Sequence, residues 1–145
     1  MTSADAVAPS DVRQVRLRWT GEDMVFHGGP DDGVQLTVDS AGERGQTPMQ
    51  LLLMALASCM AVDVRMILEK SRVPVESLEV EVVGVRAPEP PRRYLSLELV
   101  YRVGGPEDEH RSKLDRAIEL SRDKYCSVLH SLDPQIELDI RIERA

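Results

Sequence analysis

The chain has 145 residues, 42% hydrophobic and 30% charged, the profile of one globular domain with no room for a separate cofactor module. Its 18 Lys and Arg against 25 Asp and Glu leave a net charge of −7, which speaks against a nucleic-acid partner, since phosphate backbones are met by clustered cations. The aromatic residues, Trp19, Phe26, Tyr94, Tyr101 and Tyr125, are too few for a base-stacking platform.

Residues 1–12 carry no basic region and no apolar run, so they read as a flexible tail ahead of one domain over 13–145, with no secretory leader and a cytoplasmic location. Val15, Leu17 and Trp19 alternate with arginines as a half-buried strand would. A turn at 20–23, a return strand over Met24–His27, a Gly-rich turn at 28–33 and a strand over Val34–Val38 complete an antiparallel meander. The glycines lack the spacing of a phosphate-binding loop, and no helix follows them directly.

Residues 39–46 read as a loop. Thr47 is a good N-cap and Pro48 suits the first helical position, so a helix is predicted from Pro48 to about Ser71. Its first half is apolar nearly all round, which predicts burial on most sides. From Val62 onward it becomes amphipathic, with Val64, Ile67 and Leu68 opposite Arg65, Glu69 and Lys70. The longest apolar run, Leu51–Val62, is closed by Asp63 and Arg65 and falls short of the roughly 20 residues of a membrane span, so no membrane partner is expected.

Pro74 ends the helix. Alternating strands follow over Leu78–Arg86 and Tyr94–Val103, the second with Leu95, Leu97, Leu99, Tyr101 and Val103 on its inner face. A helix carrying Leu114, Ala117, Ile118 and Ser121 on one face comes next, then a short helix over Asp123–Leu132, then a strand over Ile136–Ile142. Strands in runs, interrupted by helices, give an α+β fold. A chain of this length has too few elements to cover a wholly apolar helix, and a symmetric dimer sharing one core solves that burial problem.

Two cysteines without a leader are not a disulfide scaffold; Cys59 and Cys126 are catalytic, redox-sensing or simply buried. Ser58 and Asp63 set Cys59 apart from an inert buried thiol; Asp63, at i+4 on the same face, disfavours a thiolate and is better suited to orienting a neighbouring backbone or cation. Cys126 follows Lys124 and Tyr125 near a possible helix start, where cation and dipole favour the thiolate, and His130 at i+4 is a candidate base. Neither Cys residue pairs with His27, His110 or His130 at the spacing of a zinc site, so no metal and no cofactor is expected.

The segments Thr47–Val64, which carries Pro48, Leu51, Leu52, Cys59 and Asp63, and Ala117–Val128, which carries Ser121, Lys124, Tyr125 and Cys126, resemble two motifs of the OsmC/Ohr family of osmotically induced and organic-hydroperoxide-resistance proteins. The resemblance implies an OsmC-like fold, antiparallel strands around a long buried central helix in an intertwined homodimer. It implies a thiol peroxidase in which Cys59 attacks an organic hydroperoxide and Cys126 resolves the sulfenic acid as a disulfide, reduced in turn by a dithiol. Where well-studied members carry a glutamate, this chain has Met49, with Gln50 beside it, and no arginine lies between Arg18 and Arg44 to serve as the hairpin donor. Arg44 or Arg86 could replace that cation or could be plain surface charges. The alternative function is a non-enzymatic dimer that binds a small apolar ligand or senses oxidation in the interface pocket.

Overall fold

The computed structural model describes residues 6–145, which fall into two compact units, one ending at Leu51 and the other spanning Leu52–Ala145. The expected tail lies partly outside the described residues; from Ala6 it contains a single 3-10 turn at Pro9–Asp11.

The first unit is the expected meander. Strands β1 (Arg16–Trp19), β2 (Val25–Gly29) and β3 (Leu36–Asp39) pair antiparallel in that order. Gly21 and Asp23 supply the positive φ angles of the first turn. The alternation in β1 does not produce a buried face, because this three-stranded sheet has one layer and the single chain leaves Leu17 and Trp19 57% and 59% exposed. After β3, the buried Asp39 carboxylate accepts backbone hydrogen bonds from Ala41 (2.9 Å), Glu43 (3.3 Å) and Arg44 (2.9 Å). These bonds, the one from Arg44 foremost, hold Asp39 below the usual carboxylate range and fold the loop on itself.

Helix α1 (Pro48–Lys70) begins as its sequence dictates. The Gln50 amide N–H donates to the Thr47 hydroxyl while the Gln50 side-chain oxygen accepts from the Thr47 N–H, a reciprocal cap. It ends in a Schellman turn: Val73 N–H donates to Leu68 C=O and Arg72 N–H to Glu69 C=O, both at 3.0 Å, with Arg72 in the left-handed region at φ 58° and Pro74 just beyond. Only one stripe of α1, Leu56, Met60, Val64 and Leu68, is fully buried, so the expected burial on most sides is not achieved within one chain. With a mean hydropathy of 2.0 over an 18-residue window, α1 is long and apolar enough to cross a membrane by length and composition alone. That corrects the reading based on its unbroken apolar run, although the buried stripe makes it the core helix of the second unit.

The second unit is built on the sheet β4 (Ser77–Arg86), β5 (Tyr94–Gly104) and β6 (Glu137–Arg144), with β5 in the centre. β4 and β5 are antiparallel as expected, but β6 lies parallel to β5, because the chain crosses back through two helices before pairing instead of turning in a hairpin. Leu97, Leu99, Tyr101 and Val103 are buried as predicted. Leu95 is exposed and Tyr94 takes its place inside, because a bulge between Val85 and Arg86 pairs Val85 with Ser96 and Arg86 with Tyr94, shifting the alternation by one. On the outer face Arg102 bridges Glu79, Glu81 and Glu143 across three strands. Helix α2 (Arg111–Leu120) buries Leu114, Ala117 and Ile118. The helix expected over Asp123–Leu132 is broken: a π turn over Ser121–Tyr125 ends at Cys126, whose extended ψ of 100° separates it from the one-turn helix α3 (Ser127–His130).

Candidate functional site

All the residues of the site belong to the second unit. Asp63 stands one turn beyond Cys59 on α1, on the same face. Cys126 arrives from the other direction, at the end of the π turn, where its N–H donates to the Ser121 carbonyl at 2.8 Å. That wide turn inserts a residue relative to an α turn and re-aims the chain at Cys126, the recurring use of a π bulge. The result brings the two thiol sulfurs and an Asp63 carboxylate oxygen within 4.8 Å of one another, with the thiols in hydrogen-bonding range. Cys126 is buried and Cys59 half-buried.

A second contact pins this arrangement. The buried Ser121 hydroxyl donates to the Asp63 carboxylate at 2.9 Å, tying the end of α2 to the middle of α1. The partner of Asp63 is thus a serine hydroxyl and not the backbone or cation expected of it. Tyr101, from the central strand, is 0% exposed and its hydroxyl has no hydrogen-bond partner among the described residues. Burial above all, and then the charges of Cys126, Asp63 and Cys59, raise its pKa, so the phenol keeps its proton. Sequence reasoning missed Ser121 and Tyr101 as site residues. The available signal was a polar group at one position of otherwise apolar buried series: Ser121 after Leu114, Ala117 and Ile118, and Tyr101 among leucines and valines.

Cys126 does not gain the thiolate character its neighbours suggested. Burial pushes its pKa up to about 11; the Leu129 N–H on its sulfur (3.3 Å) pulls down, and Cys59 and Asp63 push up further. Lys124 is not a counter-ion for it but lies over the Tyr125 ring, 5.3 Å from its centroid. His130 turns Nδ1 to the Cys126 carbonyl at 2.8 Å, so it supports the backbone and not the sulfur. The His110 ring caps a 3-10 turn through Glu107 N–H, and His27 is exposed on β2. Arg44 forms ion pairs with Asp23 (2.7 Å) and Glu22 (3.4 Å), and Arg86 donates to the Arg92 carbonyl at 2.8 Å.

A folded thiol that holds its proton more tightly than the unfolded chain, whose thiol titrates near 9, stabilises the fold fully below pH 9 and loses that advantage as pH rises toward 11. The urea midpoint of the reduced protein is expected to fall across this window by the equivalent of roughly 2–3 kcal/mol, and less steeply in Cys126→Ser. Equal slopes in the two proteins would refute this effect.

The sequence-based expectation of no metal ligands considered the spacing of Cys and His alone; the fold adds Asp63 to both thiols, a set that can hold a metal ion.

Comparison with known proteins bears on the chemistry. YhfA of Escherichia coli K12 is 35% identical over 126 residues, 86% of this chain and 92% of its own. A hypothetical protein of Aquifex aeolicus superposes with a TM-score of 0.80 at 34% identity, covering 93% of this chain and 97% of that one. The organic hydroperoxide resistance protein OhrB of Bacillus subtilis shares the fold, with a TM-score of 0.62 at 17% identity over 90% of this chain and 96% of its own. The family model for OsmC-like proteins matches residues 40–141, most of the chain and both cysteines, and the protein belongs to the OsmC-like family.

Proposed function

We propose that this protein is a cytoplasmic, homodimeric, thiol-dependent peroxidase that reduces organic hydroperoxides. The observation that carries the reading is the placement of Cys59 and Cys126 side by side in a fold shared with an organic hydroperoxide resistance protein. The Cys59 thiolate attacks the outer peroxide oxygen. The O–O bond breaks, the alkoxide takes a proton and leaves as alcohol, and Cys59 becomes a sulfenic acid. The Cys126 sulfur then attacks that sulfenic sulfur, water leaves, and a Cys59–Cys126 disulfide remains. An external dithiol restores both thiols by exchange and carries the disulfide away. The exposed half of Cys59 is the approach for the peroxide, and the buried Cys126 is kept for the second step.

Reduced protein is to be mixed with one equivalent of cumene hydroperoxide, the remaining thiols counted and the disulfide mapped by mass. Both thiols are expected to vanish into an intramolecular Cys59–Cys126 bond. Cys59→Ser is expected to keep its remaining thiol, and Cys126→Ser to stop at the sulfenic acid. Thiols that survive in the unmodified protein would overturn the peroxidase. The tight proton of Cys126 and the occupied guanidiniums of Arg44 and Arg86 would then favour a non-enzymatic dimer that holds a small apolar ligand or registers oxidation.

A further inference from the structure

We propose that Cys59, Asp63 and Cys126 bind one thiophilic divalent cation of the zinc class, with one coordination position left open. This site does not depend on the peroxidase reading, because it needs the thiols reduced and no peroxide.

The donor set is the first ground for the site. Two thiolates and one carboxylate suit zinc, and three protein ligands with one open position make a common zinc arrangement. Tetrahedral zinc, at about 2.3 Å from sulfur and 2.0–2.2 Å from oxygen, places its ligand atoms roughly 3.4–3.8 Å apart. The three donor atoms already lie within 4.8 Å of one another, so the site closes by at most about 1.4 Å, through side-chain rotation of the half-buried Cys59 and Asp63. Cys59 and Asp63 at i and i+4 on α1 form a two-ligand clip of the spacing that helical metal sites use.

The surroundings supply the support that metal ligands require. Ser121 donates to Asp63 Oδ2 and so holds the carboxylate in orientation, the kind of outer contact that metal ligands use. Leu129 N–H holds the Cys126 sulfur in place. Among the described residues no Lys, Arg or His side chain pairs with Asp63, so this carboxylate stands beside two thiols with no cation to balance it. An anion there opposes bare thiolates, whereas a bound cation reverses that relation. Zinc would replace the two thiol protons, which leave to solvent, and the site would carry one net negative charge.

Tyr101 is the independent observation. Its hydroxyl is completely buried, has no hydrogen-bond partner among the described residues and lies within electrostatic range of all three ligands. A buried donor without an acceptor is unfavourable. A water or anion carried by the metal is an acceptor that would satisfy its O–H.

The test uses the full chain, stripped with chelator, reduced and kept under anaerobic conditions, titrated with Co²⁺ and then Zn²⁺. Sulfur-to-cobalt charge transfer and the intense visible bands of a tetrahedral site are expected to saturate at one Co²⁺ per chain and to vanish on adding one equivalent of Zn²⁺. Cys59→Ser and Cys126→Ser are each expected to weaken the charge transfer and the affinity. Asp63→Asn, which keeps the size and an acceptor for Ser121, is expected to retain the circular dichroism spectrum and to bind at least ~10-fold more weakly. Absence of the charge-transfer band, affinity unchanged in Cys59→Ser, or affinity unchanged in Asp63→Asn would each overturn the three-ligand site. No peroxide is present, so failure here leaves the thiol count with cumene hydroperoxide untouched, and the reverse holds as well.

Discussion

Purified protein is expected to sediment at twice the 16.2 kDa of the chain, and Val62→Glu is expected to sediment at the single-chain mass with its helix content unchanged. The two faces of α1 give the reason. Leu56, Met60, Val64 and Leu68 succeed one another at four-residue intervals and are wholly buried, whereas Met54, Val62 and Met66, two positions out of phase, are 52%, 55% and 51% exposed. Large apolar side chains in that arrangement leave an uncovered stripe on the central helix, and a two-fold partner presenting the same stripe covers both copies at once. A carboxylate at position 62 meets water in the isolated chain and costs the fold little. In a dimer it would be driven into an apolar contact without a partner charge, which is prohibitive for an ion. Sedimentation of the unmodified protein as a monomer would dispose of the dimer. A Val62→Glu dimer would show that another surface forms it.

Gly84→Ala is expected to destabilise the second unit by about 1–3 kcal/mol, a fall in melting temperature of roughly 2–4 °C for each kcal/mol. A Cβ added at Gly84 would lie 2.5 and 2.7 Å from two ring carbons of Tyr94 and 3.2 Å from a methyl of Leu53. The ring cannot simply swing aside, since Tyr94 is 6% exposed and sits inside because of the bulge opposite it. The damage would appear in β4 and β5 first. Hydrogen exchange should show the amides of these strands opening sooner, with β1–β3 unaffected. A melting temperature equal to that of the unmodified protein would mean the ring has room that the packing denies.

The elements with strong local signals were legible in the sequence. Thr47 and Pro48 announce the start of α1 before any tertiary contact is considered, and the alternation of Val80 and Val82 with Glu79 and Glu81 marks a strand with one wet face. What escaped depends on non-local geometry. The bulge at Val85–Arg86 decides that Tyr94 and not Leu95 points inward, and no period in β5 alone reports it. The parallel pairing of β6 depends on the route of the crossover, and an alternating strand reads the same in either direction. The break at Cys126 hides inside a segment with good helical spacing. The grouping of Asp63, Ser121 and Tyr101 with the thiols joins α1, the end of α2 and β5, so spacing along the chain gives no measure of it. The thiol pair itself was visible only through the resemblance of two motifs.

The parallel pairing of β5 with β6 also sets a timetable. Residues 105–136 lie in the excursion that this pairing closes, and Cys126 is among them, so the segment that presents the second thiol is clamped only when the last strand docks. Closing so long a detour is an entropic toll that falls late in folding. On a ribosome, Cys59 and β5 emerge well before β6 is made. The two sulfurs are therefore brought into register only as that detour closes, and their pairing belongs to the late steps of folding.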